Sequence, residues 1–145
     1  KANLEQLTDT FDLQDFDAVI VAASIHLGGH QDTARTFVEE HAEALNALPS
    51  AFLSVSLTAA EEADEDRETA LDMRDTFLDE TGWHPDHREI CAGAIRYSEY
   101  GFLKRHIMAH KLKKRKNFTD TSREYELTDW NALETFTMTF LDSVT

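Results

Sequence analysis

The sequence predicts an α/β domain built on a parallel β-sheet whose strands are connected by helices. Short, nearly unbroken apolar runs recur along the chain, as is typical of strands buried in a parallel sheet. Segments with helical periodicity separate these runs, and strands that alternate with helices form parallel sheets through crossover connections. The length of 145 residues fits one domain over residues 1–145.

Three apolar runs predict the strands of the sheet. They are Phe16–Ala23, Ala51–Leu57 and Ile90–Ile95, and each contains β-branched residues. Because nearly every position in the first run is apolar, we expect that strand to be buried on both faces. Nearer the C-terminal end, Arg123–Leu127 alternates polar and apolar residues as a further short strand does.

Three segments predict helices. The first begins at a cap on Asp32 or Thr33 and ends before Pro49, the second extends from Thr58 to Glu80 and has an acidic start, and the third opens at Thr128–Trp130. The side chains expected to face the sheet are Ala34, Phe37, Val38, His41, Ala42, Leu45 and Leu48 in the first helix, Ala70, Leu71, Phe77 and Leu78 in the second, and Leu133, Phe136, Thr137, Phe140 and Leu141 in the third.

The charge distribution limits the possible partners. The net charge of −14 disfavours nucleic acid because its phosphate backbone is also negative. The local charge changes from negative to positive in one segment, Lys104–Lys116, which contains seven cations and no carboxylate. A block of like charges gains no stability from its own repulsion, so it predicts an anionic partner surface, with a solvated helix face as the alternative. The acidic excess, with only six lysines, is also typical of proteins from salt-loving archaea.

Hydropathy predicts a cytoplasmic protein. The longest uninterrupted apolar stretch, Ala18–Ala23, has six residues, whereas a membrane-spanning helix needs roughly 20. No signal-peptide pattern opens the sequence.

Ligands of open α/β sheets bind beyond the carboxyl ends of the strands. Two predicted loops lie there: Ser24–Asp32, which contains adjacent glycines, and Thr58–Ala60, which follows the hydroxyls of Ser54 and Ser56. Adjacent glycines allow a ligand to approach the backbone closely, although ordinary turn formation explains both segments equally well.

Several motifs are missing from the sequence. It has no dinucleotide fingerprint, P-loop, hydrolase nucleophile elbow or C-x-x-C pair. The histidine pairs lack carboxylate or thiolate partners at ligand spacing, so we predict no metal site. These pairs are His26 with His30, His84 with His87, and His106 with His110. No catalytic residue is identified by pattern alone.

Five segments, in order and in spacing, resemble the flavodoxin-like, menaquinone-dependent protoporphyrinogen oxidases. They are Ala23–His30, Pro49–Leu57, Trp83–Asp86, Ala92–Tyr97 and Thr128–Trp130. None of them is diagnostic alone, but together they extend over nearly the whole chain. The resemblance implies a flavodoxin-like three-layer α/β/α fold that binds FMN.

The resemblance also implies a long insertion in the last strand. Here the insertion is residues 96–122, between strand halves Glu89–Ile95 and Arg123–Leu127. Members of the family begin with a strand, a Thr/Ser-rich phosphate loop, a helix and a second strand, and this sequence starts after those elements. We therefore expect the intact protein to be longer, and a chain that starts at Lys1 to bind FMN more weakly.

The function implied by the resemblance is the FMN-dependent transfer of electrons from protoporphyrinogen IX to a quinone, a step of heme biosynthesis. One alternative is an FMN electron carrier without a small substrate, and another is a quinone or aromatic reductase with a different donor. By the resemblance, FMN contacts Ser24, Ile25, His26, Leu27, Gly28, Gly29, His30, Ser54, Ser56, Leu57 and Thr58. Arg96 and Tyr97 would receive a flat, carboxylated substrate.

The resemblance also suggests what the cationic segment binds. Within residues 102–116, apolar side chains are interleaved with seven cations, which suits a membrane surface bearing anionic lipid and quinone; those expected to contact it are Lys104, Arg105, Lys111, Lys113 and Lys114. The sequence thus predicts a peripheral contact at the inner face of the membrane. It leaves the oligomeric state open.

Overall fold

The structure is a computed structural model that describes residues 4–7, 9–60, 63–96 and 120–145. Most of the predicted insertion, residues 97–119, lies outside the described residues. The strands in the described part are β1 (Val19–His26), β2 (Gly29–His30), β3 (Ser50–Val55), β4 (His87–Cys91), β5 (Ala94–Ile95) and β6 (Tyr125–Glu126). The helices are α1 (Asp32–Ala47), α2 (Asp64–Thr81) and α3 (Trp130–Val144).

The predicted parallel sheet is confirmed. Its strand order is β2-β1-β3-β4, in which β1, β3 and β4 are parallel and β2 runs antiparallel to β1. Within the described residues, β2 pairs only with Ile25 and His26, so the outer edge of β1 from Val19 to Ala23 has no partner strand in this part of the chain.

The hydrophobic core lies between the sheet and the pair α1 and α2. Side chains from one face of β1 and β3, among them Val21 and Phe52, pack there against Phe37 and Phe77. Trp83 is completely buried, with its ring 5.4 Å from that of Phe52. Its Nε1 donates a hydrogen bond to Ser50 Oγ at 3.1 Å, so even the polar edge of the indole is satisfied.

The opposite face of the sheet is covered less completely. The third helix packs against β4, where the rings of Phe140 and His87 lie 5.6 Å apart. Phe140 is buried as predicted, but Leu141 is 43% exposed, which contradicts its predicted inward orientation. Ile20 is 39% exposed, so the expectation that the first strand is buried on both faces is also wrong. Ile20 lies on β1, two strands away from β4, against which α3 packs, and this position explains its exposure.

The element boundaries differ from the predictions by a few residues. The first strand begins at Val19 and extends to His26. The cap of α1 is Gln31, which makes no side-chain hydrogen bond to the helix. The second helix starts at Asp64, after a separate 3-10 turn at Thr58–Ala60. The acidic side chains in the first turn of α2 interact favourably with the positive N-terminal end of the helix dipole.

The predicted last strand is divided. Its main-sheet part ends at Cys91, and Ala94 and Ile95 instead pair antiparallel with Glu126 and Tyr125. The two segments that flank the predicted insertion therefore pair with each other and do not continue one strand of the parallel sheet.

A glycine separates these two parts, and its lack of a side chain is required by packing. A Cβ added to Gly93 would lie 2.8 Å from Val55 Cγ1. We expect Gly93→Ala to lower the free energy of unfolding by about 1–3 kcal/mol, because the β-branched valine has little freedom to move away. The matched control is Gly29→Ala, whose Cβ meets no atom within 4 Å. Urea unfolding of both variants tests this, and equal midpoints would contradict it.

Candidate functional site

The parallel pairing of β1, β3 and β4 ends at one level of the sheet. Ser24 and Cys91 are both register partners of Val55. Beyond the ladder, Ser56 N donates to Cys91 O at 2.9 Å, which holds the next residue of the chain against the end of β4. The segments that follow β1 and β3 therefore meet at one edge, where ligands of such sheets bind.

The segment after β1 is a tight hairpin. The predicted nine-residue loop Ser24–Asp32 is wrong: its first three residues belong to β1, and Gly29 and His30 form β2. Only Leu27 and Gly28 form the turn, with φ angles of 52° and 89°. Positive φ at both central residues is the combination of the type I′ turn, whose twist matches that of the strands. Leu27 is 83% exposed at its tip.

The segment after β3 is shaped by a serine. Ser56 is buried, and its Oγ accepts a hydrogen bond from Ala59 N at 3.1 Å. This bond stabilises the 3-10 turn at Thr58–Ala60. Leu57 and Thr58 are half-buried beside it. Of the predicted contacts in this segment, Leu57 and Thr58 are thus nearer to solvent than Ser56.

Two of the predicted contact residues lie beneath the surface. His30 and Ser54 are both buried, and His30 Nε2 lies 2.8 Å from Ser54 Oγ. Burial and the positive charge of Arg35 lower the pKa of His30 to about 4, so the imidazole is neutral at physiological pH. His30 pairs with Ile25, whereas His26 pairs with Gly29. Because neighbouring pairs face opposite sides of a hairpin, His26 lies on the other face, where it is exposed. The two histidines therefore do not converge on one point.

A cleft of about 430 Å³ separates the hairpin from α2. At its wall the Arg35 guanidinium lies 5.6 Å from the centre of the Phe77 ring and forms an ion pair with Glu80 at 2.8 Å. The cleft is open to solvent, and His30 is one of its lining residues. Sequence reasoning missed this cleft, because it depends on how α2 packs against the hairpin.

The predicted substrate residue Arg96 is exposed immediately after β5. Hydrogen bonds from Thr128, and to a smaller extent the charge of Arg96, hold the pKa of the Glu126 carboxyl below its ordinary value. Arg96 is thus placed near Glu126. The other predicted substrate and partner residues lie outside the described residues; they are Tyr97, Lys104, Arg105, Lys111, Lys113 and Lys114.

The thiol at this edge is held in its protonated form. Cys91 is half-buried, and its Sγ donates to Ala92 O at 3.1 Å. Burial, and then the nearby carboxylates, raise its pKa, so the thiol stays protonated. In the described ranges, no three histidine, cysteine or acidic side chains are grouped to hold a metal ion. No helix in those ranges has the length and apolar character needed to cross a bilayer.

Comparisons with known proteins agree with this architecture. Residues 1–122 match the family model described as Flavodoxin domain. The chain is 35% identical over 123 residues to protoporphyrinogen IX dehydrogenase [quinone] of Escherichia coli (strain K12). The matched segment covers 85% of this chain and 67% of that protein. It is 33% identical over 132 residues to the protein of the same name from Leishmania major, and this match covers 91% of this chain and 57% of that protein. No solved structure matches.

Proposed function

The chain belongs to the flavodoxin domain family and is an oxidoreductase related to the protoporphyrinogen IX dehydrogenases, and we propose that it binds FMN. We further propose that it passes electrons from protoporphyrinogen IX to a quinone. The structural observation that carries the proposal is the alignment of Ser24, Val55 and Cys91, at which the parallel pairing of β1, β3 and β4 ends. This register places the hairpin and the 3-10 turn at one edge, where a flat cofactor can contact both.

The residues at that edge fit a flavin. At Gly28 and Gly29 an added Cβ would meet no atom within 4 Å, so the hairpin backbone is open to a ligand. Leu27 offers an exposed apolar side chain, and the half-buried Leu57 and Thr58 lie on the other segment. Backbone groups and apolar side chains of this kind suit an isoalloxazine ring, which is flat and bears hydrogen-bonding atoms along one edge.

The chain would contribute position and electrostatics. Bound FMN would supply two-electron chemistry; because oxidation of a porphyrinogen to a porphyrin removes six hydrogen atoms, one substrate molecule would be oxidised in three such steps, which together reduce three quinones to quinols. The backbone around Leu27 and Gly28 and the segment Ser56–Thr58 would hold the ring, while the exposed Arg96 would bind a carboxylate of the substrate. The cations of Lys104–Lys116 would bind the surface of a membrane that contains the quinone.

The decisive experiment is an anaerobic assay of the full-length protein with protoporphyrinogen IX and menadione. We expect a yellow protein that releases FMN and not FAD, because the sequence has no dinucleotide fingerprint. Porphyrin fluorescence should rise with protein and menadione together, above the rate in samples that lack either. A colourless protein that takes up no FMN would overturn the proposal. Bound FMN without turnover would favour the electron carrier.

A further inference from the structure

Two buried side chains join the hairpin to the centre of the sheet. His30 belongs to β2 and Ser54 to β3, and β1 lies between these strands. The 2.8 Å hydrogen bond between His30 Nε2 and Ser54 Oγ therefore crosses beneath β1. Ala23, the register partner of Ser54, is small enough to leave room for it. This contact ties the hairpin to β3 independently of the backbone ladder.

The imidazole is also fixed by its neighbours. Its centre lies 4.5 Å from that of the Phe77 ring and 5.4 Å from that of Phe52, with interplanar angles near 50°. Because the ring is buried and neutral at physiological pH, the hydrogen bond to Ser54 does not titrate there. Buried polar pairs of this kind restrict a structure to one arrangement.

We propose that His30 and Ser54 are a positioning pair, which sets the Leu27–Gly28 turn relative to the end of β3 and thereby the spacing of the two backbone segments that contact FMN. The inference rests on the proposed function, since it needs FMN at this edge. It also changes the role expected of both side chains: they act from beneath the site, through the backbone, and do not touch the cofactor.

The chain provides a matched control. Ser50 lies on the same strand and the same face, four positions before Ser54, and is equally buried. Its Oγ likewise bonds to a ring nitrogen, that of Trp83, at 3.1 Å. It lies at the opposite end of β3 from the hairpin, however, so its loss affects stability without affecting the turn.

The test compares Ser54→Ala, His30→Phe, the double variant and Ser50→Ala. Each single change at the pair leaves a buried polar group unpaired and should lower the urea midpoint, whereas the double variant removes both partners and should recover most of it. FMN affinity, measured by fluorescence titration, should fall about tenfold in all three and stay low in the double variant. The visible circular dichroism of bound FMN should also change in these three variants. Ser50→Ala should lower only the urea midpoint.

The proposal is wrong if FMN affinity follows the urea midpoint across the four variants, since the pair would then be merely structural. Failure of the full-length wild-type protein to bind FMN would instead overturn the proposed function. In that case amide hydrogen exchange of the FMN-free protein decides the question, using Gln31 N, which donates to Ser24 O at 3.1 Å. Faster exchange of this amide in Ser54→Ala than in Ser50→Ala supports the tie, and equal exchange contradicts it.

Discussion

Trp83→Ala should lower the free energy of unfolding by about 3–5 kcal/mol, the range expected for removing a large aromatic side chain from a core. The indole is completely buried and packs edge to face on Phe52. Its loss leaves a cavity and deprives Ser50 Oγ of its donor, although that hydroxyl still donates to Leu45 O at 3.1 Å. Small domains have only about 5–15 kcal/mol of stability, so much of the total would be lost.

The matched variant Trp83→Phe separates the two contributions. It keeps an aromatic ring against Phe52 but has no N–H group for Ser50, so we expect a loss of about 1–2 kcal/mol. Urea titrations followed by far-ultraviolet circular dichroism measure both variants. Indistinguishable losses for the two would contradict the assigned role of the ring volume, and no loss in Trp83→Phe would contradict that of the hydrogen bond.

The larger elements were predictable because their signals are local. Apolar runs identified β1 and β3, and helical periodicity identified α1, whose residues Ala34, Phe37, Val38 and Leu45 are all buried as expected. The predicted opening of the third helix at Thr128–Trp130 contains the cap of α3, Asp129, whose side chain accepts a hydrogen bond from Ala132 N at 3.0 Å. Each of these features depends on residues within a few turns of one another.

The hairpin was not predictable by the same means. The residue pairs that announce a type I′ turn are Asn-Gly and Asp-Gly, whereas here the turn is Leu27–Gly28. A leucine with positive φ is uncommon and costs roughly 1 kcal/mol, and such strain concentrates at functional sites. The sequence therefore predicted a nine-residue loop, whereas the structure has a two-residue turn.

The buried pair beneath the hairpin depends on information that no local pattern contains. His30 and Ser54 are 24 residues apart, and their contact requires the particular register of β1 with β2 and β3. A shift of one residue in either pairing would turn one of the side chains to the opposite face of the sheet. The sequence located the edge at which the site lies, but the roles of its side chains follow from the register.

Charge reversal at Lys111, Lys113 and Lys114 should reduce affinity for anionic vesicles on the order of 100-fold at low salt. The expectation follows from the proposed membrane contact of residues 102–116, since each cation near such a surface contributes about 1 kcal/mol. The loss should shrink as salt is raised, because the Debye length shortens to about 8 Å at physiological ionic strength. Co-sedimentation with vesicles at two salt concentrations measures this.

A matched control separates the segment from the net charge. Reversal of Arg67, Arg88 and Arg123, which are exposed and lie elsewhere in the chain, lowers the net charge by the same amount. If the cationic segment binds the membrane, this control should retain most of the vesicle affinity, and only the lysine variant should lose turnover with a lipid-borne quinone. FMN content should stay the same in both, since exposed charges usually change stability by less than about 0.5 kcal/mol. Equal sedimentation of wild type and lysine variant at low salt would refute the membrane contact and leave the flavin site as proposed.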